Sequence, residues 1–273
     1  MRRFWLALVS CFLLVPGALA QRPPDTVFLE DLTWEEVRDL IAAGKTSMII
    51  ATAGTEQKGP HMVIGQHRFV IEYAADKIAR ALGNALVAPV ITYVPEGSWD
   101  NPRGHMTKAG TITLPNDRFM ELLLHTARSL KAGGFREIIF IGDSGGNQNG
   151  MRDVAVRLNE EWKGSGSRAH FIGDYYEKSQ EDIRKHITEK LGIPESDIGS
   201  HAGMSDTSQM MFVNQNHVRL NKRAPGGGSA DSGVSGDPTK ASVALGEVMM
   251  RIKIDNAVSQ IRASLAARPQ EVP

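Results

Sequence analysis

Between Gly54 and His67 the chain reads GTEQKGPHMVIGQH, which sets an acid, Glu56, a lysine, Lys58, and two histidines, His61 and His67, around Gly59-Pro60. Carboxylate and imidazole are the donors that hold a divalent cation, and they also move protons near neutral pH. Three further polar stretches have the same character. One carries Glu96, Trp99 and His105, a second Asp143, Ser144, Gly145, Gly146 and Asn147, and a third His201, Asp206, Thr207 and Ser208. The only cysteine, Cys11, lies close to the N-terminus, so the rest of the chain offers no disulfide, thiol nucleophile or thiolate ligand. A metal would have to be held by His, Asp or Glu.

Loops so far apart in sequence can share one crevice only if the elements before them bring them together. Short apolar runs at Ser47–Ala51, Ala85–Val90, Glu137–Ile141 and Ala169–Ile172 suit strands, those buried on both faces in particular. Thr111–Leu114 suits a short edge strand. Helical spacing of apolar residues marks a first helix behind the capping box Thr33-Trp34-Glu35-Glu36. The same spacing predicts helices over Phe69–Leu82, Asn116–Ala132, Val154–Trp162, Tyr176–Leu191 and Thr239–Ala266. Alternation of the two element types predicts an α/β fold, a mainly parallel sheet covered by helices on both faces, as one domain over residues 21–273. In such a sheet the loops leaving the strands gather at the carboxyl edge. Lys222–Lys240 is a long Gly/Ser/Pro loop, read as a lid or an interface insertion.

Arg2 and Arg3, the apolar run Phe4–Val15 and the ending Pro16-Gly17-Ala18-Leu19-Ala20 form a secretory signal over residues 1–20. The expectation is a periplasmic or secreted protein with no membrane anchor after cleavage. Formal net charge is zero, which gives no basis for electrostatic capture of nucleic acid.

Five motifs, in order, resemble those of the creatininase (creatinine amidohydrolase) family. GTEQKGPHMVIGQH is similar to the family's G-S-x-E-Q-H-G-P-H-L-P-L-x-T-D, and HMTKAGT (His105–Thr111) to part of H-x-x-F-P-G-T. GDSGGN (Gly142–Asn147) resembles N-G-H-G-G-N, HAGMSDTS (His201–Ser208) resembles H-A-G-x-x-E-T-S, and GVSGDPTKA (Gly233–Ala241) resembles G-V-x-G-D-P-x-x-A. The resemblance implies a three-layer α/β/α fold, often a hexamer, that hydrolyses cyclic amides or related C–N bonds of small molecules with divalent metal. It also implies that His201 acts as a proton shuttle.

The chain departs from the family where the metals are held. The glutamate is kept as Glu56, but the first-motif histidine is Lys58, its aspartate is His67, and the histidine of the third loop is Ser144. A glutamate that serves the second metal in creatininase is Gly146 here. An ammonium has no lone pair for a cation. The expectation is therefore a rearranged mononuclear site on Glu56, His67 and Asp143, suited first to Zn and also to Mn or Fe. Trp99, His105, Gly145, Gly146, Asn147 and Asp206 are candidate substrate contacts, with the Gly145 and Gly146 amides as oxyanion donors. Three alternatives stand beside this: a non-catalytic binding or scaffold protein, a Ser144–Lys58 dyad without metal, and structural roles for single residues. In the last, Glu56 and Lys58 form a surface salt bridge, His61 shapes its loop, Asp143 caps a helix and His105 organises the 94–110 loop.

Overall fold

The computed structural model describes residues 24–267. Its centre is a parallel sheet of β1 (Ser47–Thr52), β2 (Ala85–Val87), β3 (Glu137–Gly142) and β4 (Arg168–Phe171), in the spatial order β2-β1-β3-β4. All six β1 residues are buried. Because successive strand residues face opposite sides, Ile49, Ala51, Ile139 and Ile141 pack on one face with α2 (Gln66–Leu82) and α8 (Val243–Ala266). Met48, Ile50, Ile138 and Phe140 pack on the other with α3 (Asn116–Ala132) and α4 (Gln148–Glu161). The edge of that second face is covered by α1 (Trp34–Ala42), whose capping box forms as the sequence predicts. The three-layer α/β/α architecture is thus the one expected.

Local differences have local causes. The second strand stops at Val87, two residues before Pro89, whose ring nitrogen cannot donate to a ladder. Thr111–Leu114 forms no strand; Ile112 makes an isolated antiparallel bridge to Thr55. Helix α2 begins at Gln66, so His67 sits in its first turn rather than on a loop. Helix α4 begins at Gln148, behind a 3-10 turn over Gly145–Asn147, and the turn has no side-chain cap from Asp143. After β4 come α5 (Glu177–Lys185), the one-turn α6 (Glu195–Ile198) and α7 (Met204–Asn214). The expected signal segment lies outside the described residues, among which no helix is long and apolar enough to cross a membrane.

Candidate active site

Every strand runs the same way, so the loops after β1 and β3 leave the sheet side by side. The first carries Glu56 and Lys58, and the second Asp143 and Ser144. The start of α2 adds His67, the segment into α7 adds His201, the first turn of α7 adds Asp206, and α8 adds Lys253. These residues line one cavity of about 810 Å³.

At its floor six charged side chains alternate in sign. Asp206 Oδ2 accepts from Lys58 Nζ at 3.0 Å, and the same ammonium lies 3.0 Å from Glu56 Oε1. Glu56 Oε1 accepts from His67 Nε2 at 2.8 Å, and His67 Nδ1 lies 2.9 Å from Asp143 Oδ2. Asp143 Oδ1 accepts from Lys253 Nζ and, at 3.0 Å, from the Tyr175 hydroxyl. Lys253 also donates to Gln209 Oε1 at 3.2 Å, and the amide of Ala202 donates to Asp206 Oδ2 at 2.9 Å. Ala202 adopts φ 49°, a left-handed backbone unusual for a residue with a Cβ, and this aims its N–H at the carboxylate. Lys58 is 1% exposed, so this is a buried ion chain rather than the surface salt bridge weighed from sequence.

Both ring nitrogens of His67 face carboxylates, which when ionised can only accept, so the ring donates twice and is an imidazolium. Burial and the Lys58 charge push its pKa down, but the bonds to Asp143 and Glu56 outweigh them and hold it up at about 9. Burial works against ionising Glu56, yet the His67 bond and the Lys58 charge hold it far below the usual carboxylate range. Asp143 and Asp206 are lowered in the same way, against burial, by Lys253 and by Lys58 respectively. Lys58 itself is raised, because Asp206 and Glu56 overcome its burial.

Gln57 sets the protons of two histidines beside the chain. Its Oε1 accepts from the Gly59 amide at 2.9 Å, which leaves Nε2 as donor to the Gly233 carbonyl and to His105 Nδ1 at 3.0 Å. With Nδ1 accepting, His105 carries its proton on Nε2, 3.3 Å from Glu56 Oε2. The Gln57 carbonyl accepts from His201 Nε2 at 2.7 Å, so His201 Nδ1 holds a free lone pair, 3.7 Å from Glu56 Oε1. The two rings lie 4.1 Å apart. Burial and the nearby Lys58 charge lower His201 to about 4, which keeps it neutral near pH 7.

Glu96 enters the same space from the 94–110 loop and accepts from Ser144 Oγ at 2.8 Å. Gly54 makes the room: a Cβ there would lie 2.0 Å from Glu96 Oε1. Burial and the Glu56 charge raise Glu96 to about 7, so it titrates in the neutral range and holds its proton below about pH 7.

Of the residues singled out by sequence, Glu56, Lys58, His67, His105, Asp143, Ser144, Gly145, Gly146, His201 and Asp206 all line the cavity. Trp99 does not; it is 55% exposed. Asn147 is buried under the loop, where it donates to Thr52 Oγ1 and supports Gln148. Ser144 and Lys58 form no dyad, since Ser144 is bonded to Glu96 and the Lys58 ammonium to two carboxylates. His61 has the loop-shaping geometry, with Nε2 at 3.0 Å from Thr207 Oγ1. Sequence reasoning missed Lys253, Tyr175 and the tautomer-setting role of Gln57, and it left Glu96 without a role.

The divalent metal implied by the resemblance meets a poor donor set. In the expected trio Glu56–His67–Asp143, the imidazole stands between the carboxylates with no lone pair to offer. Glu56, His105 and His201 do bring one ligand atom each within 4.8 Å of one another. Yet Lys58 lies 3.0 Å from that carboxylate, and the Gln57 bond puts the proton of His105 on the nitrogen that would ligate. A ligating imidazole ordinarily donates, rather than accepts, at its other nitrogen. Position 146 cannot supply a ligand either, because a Cβ there would lie 2.2 Å from the Pro95 carbonyl oxygen.

A family model described as creatininase, creatinine amidohydrolase, matches residues 30–261. The mycofactocin precursor peptide peptidase of Mycobacterium ulcerans (strain Agy99) is 25% identical over 240 residues, which cover 79% of this chain and 84% of that protein. Among solved structures, a manganese creatininase superimposes with a TM-score of 0.73 at 20% identity, covering 89% of this chain and 100% of the other. A creatininase variant of Zn–Zn type gives a TM-score of 0.75 at 20% identity, covering 89% and 99%.

Proposed function

Because the chain belongs to the creatininase family, we propose that it hydrolyses an amide C–N bond of a small polar molecule or short peptide. The observation that carries this is that one cavity is lined by a neutral His201, its lone pair on Nδ1, and by Glu96, which holds a proton below about pH 7. Two titratable groups driven apart by their surroundings are suited to divide the work of base and acid. His201 Nδ1 takes a proton from water as its oxygen attacks the carbonyl carbon. The N–H groups of Gly145 and Gly146, at the open start of a helical segment, receive the developing oxyanion. As the C–N bond breaks, the Glu96 carboxyl gives its proton to the leaving nitrogen. His201 then releases its proton and Glu96 regains one, leaving acid and amine.

Cyclic amides stand first as substrates by the family likeness, and the volume of about 810 Å³ also admits a few peptide residues. The Zn, Mn or Fe expected on Glu56, His67 and Asp143 has no part in this reading, since those side chains neutralise one another. Export through residues 1–20 and assembly as a homo-oligomer complete the proposal; the first rests on the sequence pattern and the second on the family resemblance.

A panel of lactams, cyclic ureas, linear amides and short peptides tests it, with Glu96→Gln and His201→Asn as controls. Each substitution lowers kcat roughly 10²-fold or more. The rate of the unsubstituted enzyme holds between pH of about 4 and about 7, falling below as His201 protonates and above as Glu96 ionises. Cleavage unaffected by Glu96→Gln would remove Glu96 from the mechanism. Failure to cleave any member of the panel would favour a binding protein.

A further inference from the structure

The floor of the cavity has a property that holds whether or not amide hydrolysis is the reaction. Its three carboxylates already have cations. Lys58 stands between Asp206 and Glu56, His67 between Glu56 and Asp143, and Lys253 closes the far end on Asp143. The related structures described above include manganese and Zn–Zn forms. We propose that Lys58, His67 and Lys253 supply here the positive charge that metal ions supply in those relatives, so that this protein's site is complete without metal.

Three independent features of the chain support this. First, the alternation is unbroken: no carboxylate of the six is left without a cation within 3.0 Å or a direct bond to one. A divalent ion would have to displace an ammonium or take a ring proton from His67. Second, the chain has a supporting shell of its own. Tyr175 donates to Asp143, the Ala202 amide donates to Asp206, and Gln209 accepts from Lys253, so the ion chain is held by neutral hydrogen-bond partners as well. Third, the Pro95 carbonyl occupies the space that any side chain at position 146 would need, so the backbone has closed over one candidate ligand position. A buried charge needs a partner, but nothing in the physics requires that partner to be a metal.

The test uses the mature protein, purified from cells supplied with zinc and manganese, and reads metal content and melting temperature. The expected result is less than about 0.1 equivalent of any transition metal, with no change in Tm on adding chelator or Zn²⁺, because a genuine site stabilises by mass action. Nitrogen NMR of the labelled histidines should show both His67 ring nitrogens protonated at neutral pH. The variant K58H/H67D/S144H, which restores the family's donor types at three positions, should bind about one equivalent of zinc and gain Tm from it. Near-stoichiometric metal in the unsubstituted protein, abolished by Glu56→Gln, would overturn the proposal, as would an unprotonated His67 nitrogen. A folded triple variant that takes up no zinc would overturn the assignment to these positions. If that variant does not fold, the metal content and His67 spectrum of the unsubstituted protein decide alone.

Discussion

Replacing Lys58 by methionine removes one charge from the buried chain while keeping a similar shape. The ammonium holds two carboxylates at 3.0 Å, and their losses differ. Glu56 retains the imidazolium of His67, whereas Asp206 is left with the Ala202 amide as its remaining protein donor. Asp206 keeps 22% of its side chain exposed, so the loss lies below that of a fully buried unpaired charge and above that of an exposed pair, at about 2–3 kcal/mol. At roughly 2–4 °C per kcal/mol for a chain of this length, Tm should fall by about 4–12 °C. Thermal and urea unfolding followed by circular dichroism measure this. The double variant K58M/D206N removes the stranded charge and should recover most of the loss. Sign matters with pH: Lys58 holds Asp206 below its ordinary pKa of 3.8, which stabilises above that value and is lost on acidification. The gap between Lys58→Met and the unsubstituted protein should therefore hold down to about pH 4 and narrow as pH falls below it. A Tm for Lys58→Met within about 2 °C of the original, or a double variant no better than the single, would refute the ion-chain argument.

Two further predictions follow from the same geometry. His67 is raised from 6.5 to about 9, so it contributes stability on the order of 3 kcal/mol that is complete below pH 6.5 and lost as pH rises through about 9. The urea midpoint should fall between those pH values, and His67→Gln should lose most of that dependence; a flat profile in the unsubstituted protein would exclude an imidazolium. Gly146→Ala forces a Cβ against the Pro95 carbonyl, where backbone must shift, at a cost of about 1–3 kcal/mol. Its crystal structure should show the 95–97 segment displaced and the Ser144–Glu96 bond lengthened, and an unmoved loop would show the contact to be unimportant.

The frame was legible because its signals are local. Runs such as SMIIA and EIIFI are too short for helices and too apolar for loops, and both became strands buried on two faces. The pocket was legible because polar loops after parallel strands must meet at one edge. What eluded the sequence was the direction in which side chains point once they meet. Lys253 is the plainest case: it lies four residues from Met249 and four from Ala257 on the buried stripe of α8. A single lysine among such neighbours is a signal that its charge is used inside, but its partner, Asp143, is 110 residues away. Trp99 is ambiguous for the opposite reason, since a large aromatic in a Gly/Pro-rich loop reads equally as substrate-facing wall or ordinary packing; the residue itself stands 55% exposed, outside the cavity lining.

The family comparison gains meaning when the altered positions are counted as charge. Lys58 in place of a neutral histidine adds one positive charge. An imidazolium at His67 in place of an aspartate adds two, and Gly146 in place of a glutamate adds one more. Ser144 for histidine adds none. Those changes add four positive charges, and Lys253 on α8 brings a further cation to Asp143. Single changes of this sort would leave a half-filled site: Lys58 beside a metal would repel it, and His67 without Lys58 and Lys253 would leave Asp206 and Asp143 underpaid in a buried setting. Only the set keeps every carboxylate neutralised. That is why residues on two loops and three helices have to be read as one feature.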